Sequence, residues 1–157
     1  MQNEKKQWVY ECKCPLCGSI FYEVAARILN NHVSSCGCAK MSNGEKIIEH
    51  ILKNNHVDYI KQYSFSECRN TYKLKFDFAI FDRNELKCLI EYDGLQHYRP
   101  IEFFGGQSAF EKARARDEIK DKYCKQNNIL LIRIPYYYSS EEISSIIMSF
   151  IRNDYRT

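Results

Sequence analysis

Residues 73–92 most narrowly limit what this chain can fold into. Leu74, Phe76, Phe78 and Ile80 alternate with Lys75, Asp77 and Ala79, the turn Asp82-Arg83-Asn84-Glu85 follows, and residues 86–92 continue as a second apolar run. A large hydrophobe at every second position fits a strand with one face against a core. Two such runs joined by a short polar turn predict a hairpin. Around it, Ser42-x-x-Glu45 opens a helix in capping-box form, carried by Ile47, Ile48, Ile51 and Leu52 to about Asn54. Residues 58–64 read as a first strand, 107–127 as a helix, 129–134 as a short apolar strand. Residues 140–152 read as a last helix with Ile143, Ile146, Ile147 and Phe150 inward. A helix between the third and fourth strands implies an α/β fold, a mixed sheet flanked by helices in the order α-β-β-β-α-β-α.

The cysteines mark off a second region. Cys12, Cys14, Cys17, Cys36 and Cys38 are five of the eight, all in the first quarter of 157 residues. Cys14-Pro-Leu-Cys17-Gly18 is a CxxC knuckle and Cys36-Gly37-Cys38 a second pair, so four thiolates from two turns suit a structural Zn²⁺. Cys14, Cys17, Cys36 and Cys38 are the expected ligands; Cys12 in place of Cys14, and the more distant His32, are the alternatives. A short helix over residues 21–31 would lie between the pairs. A segment this small has little core, so the metal would supply much of its folding energy. The small, polar residues 39–44 suit a boundary, giving a zinc-ribbon-like segment over 1–41 and a larger domain over 42–157. Cys68, Cys88 and Cys124 have no paired spacing and read as packing residues.

No apolar run approaches the roughly 20 residues that span a bilayer, and the first residues do not resemble a secretion signal. The expectation is a soluble, cytoplasmic chain with reduced thiols and no membrane partner. The formal net charge of +3 permits nucleic acid without demanding it.

The chemistry lies on the strands. Glu91 is a carboxylate inside the apolar run Leu89-Ile90-Glu91-Tyr92, and Asp77 has the same kind of place between Phe76 and Phe78. Burying an unpaired carboxylate costs on the order of several kcal/mol, so each needs a cation. If the hairpin brings the two acids together, a hard divalent ion such as Mg²⁺ relieves their repulsion; a structural ion pair with Lys75 or Arg133 is the plainer alternative. Asp93, on the face of Glu91, precedes Gly94 and serves equally as a turn residue. His97 could move a proton or orient a water. Glu45 shares a helix face with Ile48 and Leu52 but also completes the capping box. Lys112, Arg116 and Lys120, spaced i, i+4, i+8, form a basic stripe suited to phosphates or to solvent, and Lys120 could also reach the acids. Tyr136-Tyr137-Tyr138 could stack on bases or pack on the last helix.

These residues carry a resemblance. Phe76-Asp77-Phe78-Ala79-Ile80 with Ile90-Glu91-Tyr92-Asp93-Gly94-Leu95-Gln96-His97-Tyr98 resembles the motif pair of PD-(D/E)XK nucleases, the restriction-endonuclease-like fold. The E-x-D-G-x-x-H form is similar to the branch of very-short-patch repair and phage homing endonucleases. The CPxCG and SCGC pairs resemble zinc ribbons fused to phage and mobile-intron endonucleases. The resemblance implies that Asp77 and Glu91 are metal ligands assisted by Glu45. Asp93 stands where that family carries a lysine, so Gln96, His97 or Lys120 would orient the attacking water. It further implies a Mg²⁺-dependent (or Mn²⁺-dependent) endodeoxyribonuclease acting on double-stranded DNA at the nucleoid, with two copies pairing on DNA an open option. Two rivals remain: a catalytically inactive zinc-containing DNA-binding module, and a zinc-stabilised protein-interaction domain.

Overall fold

The computed structural model describes residues 7–14, 20–30 and 41–154, with side chains as far as Ile151. The chain divides into two compact units, Met1–Lys46 and Ile47–Thr157. The division thus falls a few residues after the polar stretch, inside a helix.

In the N-terminal unit, β1 (Val9–Lys13) pairs antiparallel with β2 (Ile20–Val24), with Cys12 opposite Phe21. A short helix, α1 (Ala25–Leu29), follows. The helix expected over 21–31 therefore begins only at Ala25. The β-branched and aromatic residues of Ile20-Phe21-Tyr22-Glu23-Val24 are strand formers and have a partner strand. Cys14 is buried. Cys17, Cys36, Cys38 and His32 lie outside the described residues.

The helix α2 (Asn43–Asn54) opens with a reciprocal cap: Ser42 Oγ accepts the Glu45 N–H at 3.2 Å while the Glu45 carboxylate accepts the Ser42 N–H. In the C-terminal unit, β3 (Asp58–Arg69), β4 (Lys73–Asp82), β5 (Glu85–Asp93) and β6 (Leu130–Pro135) form one mixed sheet in that order. The first three run antiparallel and β6 joins β5 in parallel. The β4–β5 turn places Arg83 and Asn84 both at positive φ, +48° and +67°, as a two-residue hairpin loop requires. Between β5 and β6 run two 3-10 turns, Leu95–His97 and Glu102–Phe104, and the helix α3 (Gly106–Gln126). A last helix, α4 (Ser140–Asp154), closes the chain. The architecture is mixed α/β, a mixed sheet flanked by helices.

Both faces of the sheet are buried. The pair Ala79↔Leu89 alternates with Phe78↔Ile90 and Ile80↔Cys88, and all six are 1% exposed or less, so each face needs its own cover. On the Ala79 face, Cys68, Leu74, Phe76 and Leu89 pack with Cys124 of α3. Ile48, Ile51 and Leu52 of α2, and Ile143 and Ile147 of α4, are buried at the spacing of an inward helix stripe. Cys68, Cys88 and Cys124 are buried free thiols, as expected of packing residues. Among the described residues no helix is long and apolar enough to cross a membrane.

The strict alternation read from β4 fails at one point. Phe76 packs with Ala79, three positions away, so the strand changes face once between them. Asp77 lies in that interval, and β3 places Gln62 opposite it, between the pairs Lys61↔Phe78 and Tyr63↔Phe76. Gln62 has φ +53°. The irregularity therefore falls on both strands together, at the acid singled out from sequence.

Candidate functional site

The β4–β5 ladder runs out at Phe78↔Ile90, which leaves Asp77 and Glu91 as the next residues on their strands. Asp77 does not simply continue the strand. Its Oδ2 accepts the backbone N–H of Tyr92 at 2.8 Å and its Oδ1 accepts from Gln62 Nε2 at 3.3 Å. The carboxylate thus stands in for a main-chain acceptor at the irregularity, and is fastened to the amide immediately after Glu91.

Glu91 is 4% exposed. Its Oε1 accepts from Lys120 Nζ of α3 at 2.8 Å, and that ammonium also lies 5.1 Å from the centre of the Phe76 ring. Burial pushes the Glu91 carboxyl above its ordinary range, and the Lys120 charge opposes the shift. Glu91 therefore has a cation partner in Lys120, the residue read from sequence as able to reach the acids, whereas Arg133, offered as an ion-pair partner, bonds to Asp93. The stripe Lys112, Arg116, Lys120 is not one solvent face, because Lys120 turns inward. Of the sequence-derived residues, Lys120 thus meets Glu91, and Asp77 is bonded to the amide next along the chain from Glu91.

A second cluster adjoins it along the chain. Asp93, also buried, accepts from Arg133 Nη1 at 2.8 Å. Arg133 Nε donates to Asp121 Oδ1 at 3.0 Å. Its Nη2 lies 2.9 Å from the same oxygen and 3.5 Å from Asp117 Oδ1, without the alignment of a hydrogen bond. His97 Nδ1 is 2.8 Å from Asp117 Oδ2 and 3.8 Å from Asp93 Oδ1. The hydrogen bond to Asp117 holds the imidazole's pKa above its ordinary value, against the pull of burial. Burial works to raise Asp117, but the bond to His97 together with the charges of His97, Arg133 and Lys120 outweighs it and the carboxyl sits below its usual range. Asp93 is pushed up by burial and drawn back by Arg133. The hydrogen-bonded His97–Asp117 pair therefore sits beside an arginine shared by three carboxylates.

Arg133, Asp117 and Asp121 were not singled out as a site. A signal was present: Ala113, Asp117, Lys120, Asp121 and Cys124 follow inward-stripe spacing along α3, so an inward face that is largely charged was readable. Glu45 is occupied in the helix cap. The Gln96 amide folds back over Gly94, where an added Cβ would lie 2.5 Å from its Oε1. Asp93 is no free turn residue, since its side chain is committed to Arg133. The tyrosines after β6 do not bury themselves on α4: Tyr136 and Tyr137 are 40% and 62% exposed and pack edge-on with Tyr98, at 5.6 and 6.0 Å between ring centres.

No known protein-family profile and no solved structure matches the chain. It is 43% identical over 53 residues to the uncharacterized protein 307L of Invertebrate iridescent virus 6, a stretch covering 33% of this chain and 27% of that protein. It is 32% identical over 65 residues to the uncharacterized protein 033L of Invertebrate iridescent virus 3, covering 41% of this chain and 34% of the relative. The matched stretch spans about a third of each viral protein or less.

Proposed function

We propose that this chain is a metal-dependent endodeoxyribonuclease of the PD-(D/E)XK, restriction-endonuclease-like kind, acting on double-stranded DNA. Its cysteine segment would form a structural zinc ribbon through Cys14, Cys17, Cys36 and Cys38. The observation that carries the reading is the gathering of Asp77, Glu91 and Lys120: two carboxylates at adjoining strand ends, and an ammonium 2.8 Å from the second. The lysine absent at position 93 is supplied from α3. The order of a helix, three antiparallel strands, a helix and a parallel strand also agrees with that fold's core.

The donor set suits a magnesium-type ion in a limited way. No three His, Cys, Asp or Glu side chains among the described residues converge as a metal site. Mg²⁺, however, commonly takes one or two carboxylates and fills its remaining positions with water and substrate phosphate oxygens. Held by Asp77 and Glu91, Mg²⁺ or Mn²⁺ would neutralise charge on the scissile phosphate and acidify a bound water. The protein's own part is then specific. The Tyr92 amide and Gln62 fix the Asp77 carboxylate, Lys120 opposes the effect of burial on Glu91, and His97, oriented by Asp117, would exchange a proton with a departing oxygen.

One observation favours a second reading. The closed Lys120–Glu91 pair occupies an oxygen that a metal would need, as in a DNA-binding module that no longer hydrolyses. Supercoiled plasmid incubated with Mg²⁺ or Mn²⁺ separates them. Nicking suppressed by EDTA and by Asp77→Ala supports the enzyme; salt-sensitive binding without nicking supports the module. Absence of DNA binding even at low salt removes both and leaves the protein-interaction reading.

A further inference from the structure

A pocket of about 220 Å³ lies among the 3-10 turn Leu95–His97, residues 101–106 and the first turns of α3. Gln96, Arg99, Phe104, Phe110 and Arg116 line it. Two of these lining residues are arginines. Arg114 pairs with Glu118, Lys120 with Glu91, and Arg133 with three aspartates. Arg99 and Arg116, by contrast, have no carboxylate within ion-pair distance among the described residues. Both are exposed and line one cavity, and a guanidinium matches phosphate oxygens two at a time.

The apolar wall is aromatic. Phe104 is 57% exposed, its ring packed at about a right angle to that of Phe103 with 5.2 Å between centres, and Phe110 is half-buried. Nucleobases stack on such rings whatever their sequence. The helix N-terminus is not the anion site, because the Glu102 carboxylate already lies against Gly106 at the head of α3. The volume holds one base or one sugar-phosphate unit, short of the roughly 300–1,000 Å³ that encloses a drug-sized ligand.

We infer that this pocket is a subsite for a single nucleotide unit, with Arg99 and Arg116 on the phosphate and Phe104 and Phe110 against the attached base or sugar. It deepens the DNA reading by naming where a strand is gripped, but it is read out by binding and not by cleavage. Its position ties it to the charged cluster, since Gln96 adjoins His97 and Arg116 adjoins Asp117 in the chain.

The test is fluorescence anisotropy of the full chain with a fluorescein-labelled hexathymidylate over a salt series, with dTMP as competitor. The Arg99→Ala/Arg116→Ala variant should bind about tenfold more weakly, and its log K against log salt slope should flatten by about 0.7, the value for one phosphate contact on a single strand. Phe104→Ala should weaken binding by about fivefold with the slope unchanged. Lys122→Ala/Lys125→Ala, the same charge change near the other end of α3, should do much less. Competition by dTMP that is lost in the arginine variant is the expected result for a pocket that holds one nucleotide unit; competition that persists undiminished in that variant overturns the assignment. No binding by the parent chain, or equal effects of the two double variants, overturns it. Plasmid nicking with unaltered oligonucleotide binding in the arginine variant would remove the pocket and leave the nuclease. Arginine-dependent binding without nicking would do the reverse.

Discussion

Replacing Lys120 by methionine isolates the charge that opposes Glu91. The two side chains are 12% and 5% exposed and meet at 2.8 Å, so water screens neither. Methionine keeps the length of the stem and the contact with Phe76 while removing the ammonium. Breaking a buried pair by deleting one partner costs about 3–5 kcal/mol, because the remaining charge is left uncompensated. Against a total stability of about 5–15 kcal/mol that is a large fraction. At about 2–4 °C per kcal/mol for a chain of this size, the melting midpoint should fall by roughly 10 °C at neutral pH. The pH dependence has a definite sign. Burial already holds the folded Glu91 carboxyl above its ordinary value with Lys120 opposing, and the variant removes the opposition and raises it further. A group with a raised folded pKa contributes stability that is present below its unfolded value and is lost as pH rises through the folded one. The deficit should therefore be full at pH 7 and shrink on acidification. Urea unfolding at pH 7 and pH 5, of Lys120→Met, Glu91→Gln and the double variant, measures it. The double variant, with a neutral pair, should recover at least about 2 kcal/mol as coupling energy. Millimolar Mg²⁺ should stabilise Lys120→Met more than the parent, because the ion no longer competes with the ammonium. A deficit below about 1 kcal/mol, or one equal at both pH values, would refute the argument that this pair is buried and coupled.

Other outcomes follow from the same geometry. Asp77→Asn keeps an oxygen for the Tyr92 amide, so urea unfolding should show a loss of only about 1 kcal/mol while Mg²⁺-dependent nicking disappears; equal loss of fold and activity would deny Asp77 a chemical role. Arg133→Leu leaves Asp93, Asp117 and Asp121 without their shared cation and should cost about 3–5 kcal/mol at pH 7, whereas Arg133→Lys should recover only part, a point charge being unable to serve three carboxylates at once. The raised pKa of His97 makes its contribution complete below its unfolded value of about 6.5 and lost as pH rises through the folded one. Chemical denaturation of His97→Gln should thus show a larger deficit at pH 6 than at pH 9, and a constant deficit would remove the Asp117 pairing as the cause. Burial pushes the Cys124 thiol up to about 11 and raises Cys68 as well, so neither should react with a thiol reagent at pH 8 before the C-terminal unit unfolds.

The elements were legible because the cues for them are local. The capping box at Ser42 and Glu45, the turn residues Arg83 and Asn84, and the spacing of Ile143 and Ile147 act over four or five residues, where sequence distance and spatial distance coincide. The two acids were legible for the same reason: a carboxylate between large hydrophobes stands out in any strand. Lys120 and Arg133 were among the cations the sequence offered, but which acid each would meet was not legible. Lys120 is 29 residues from Glu91 and Arg133 is 40 from Asp93, and which cation meets which acid depends on the stagger of β6 against β5 and on the rotation of α3 above them. The helix over 21–31 was misplaced because a strand partner, β1, outweighs intrinsic preference in Ile20–Val24.

Composition and periodicity alone thus specified a mixed α/β chain with a cysteine-rich leading segment, and specified that Asp77 and Glu91 needed cations. Folding in three dimensions gave Glu91 its cation in Lys120, gave Asp77 the Tyr92 and Gln62 amides, and left two arginines on one pocket with Phe104 and Phe110. The physical reason is range. Hydrophobic period and turn chemistry are written within a few residues, whereas Coulombic pairing and cavity shape depend on distances that exist only after the sheet and α3 have docked.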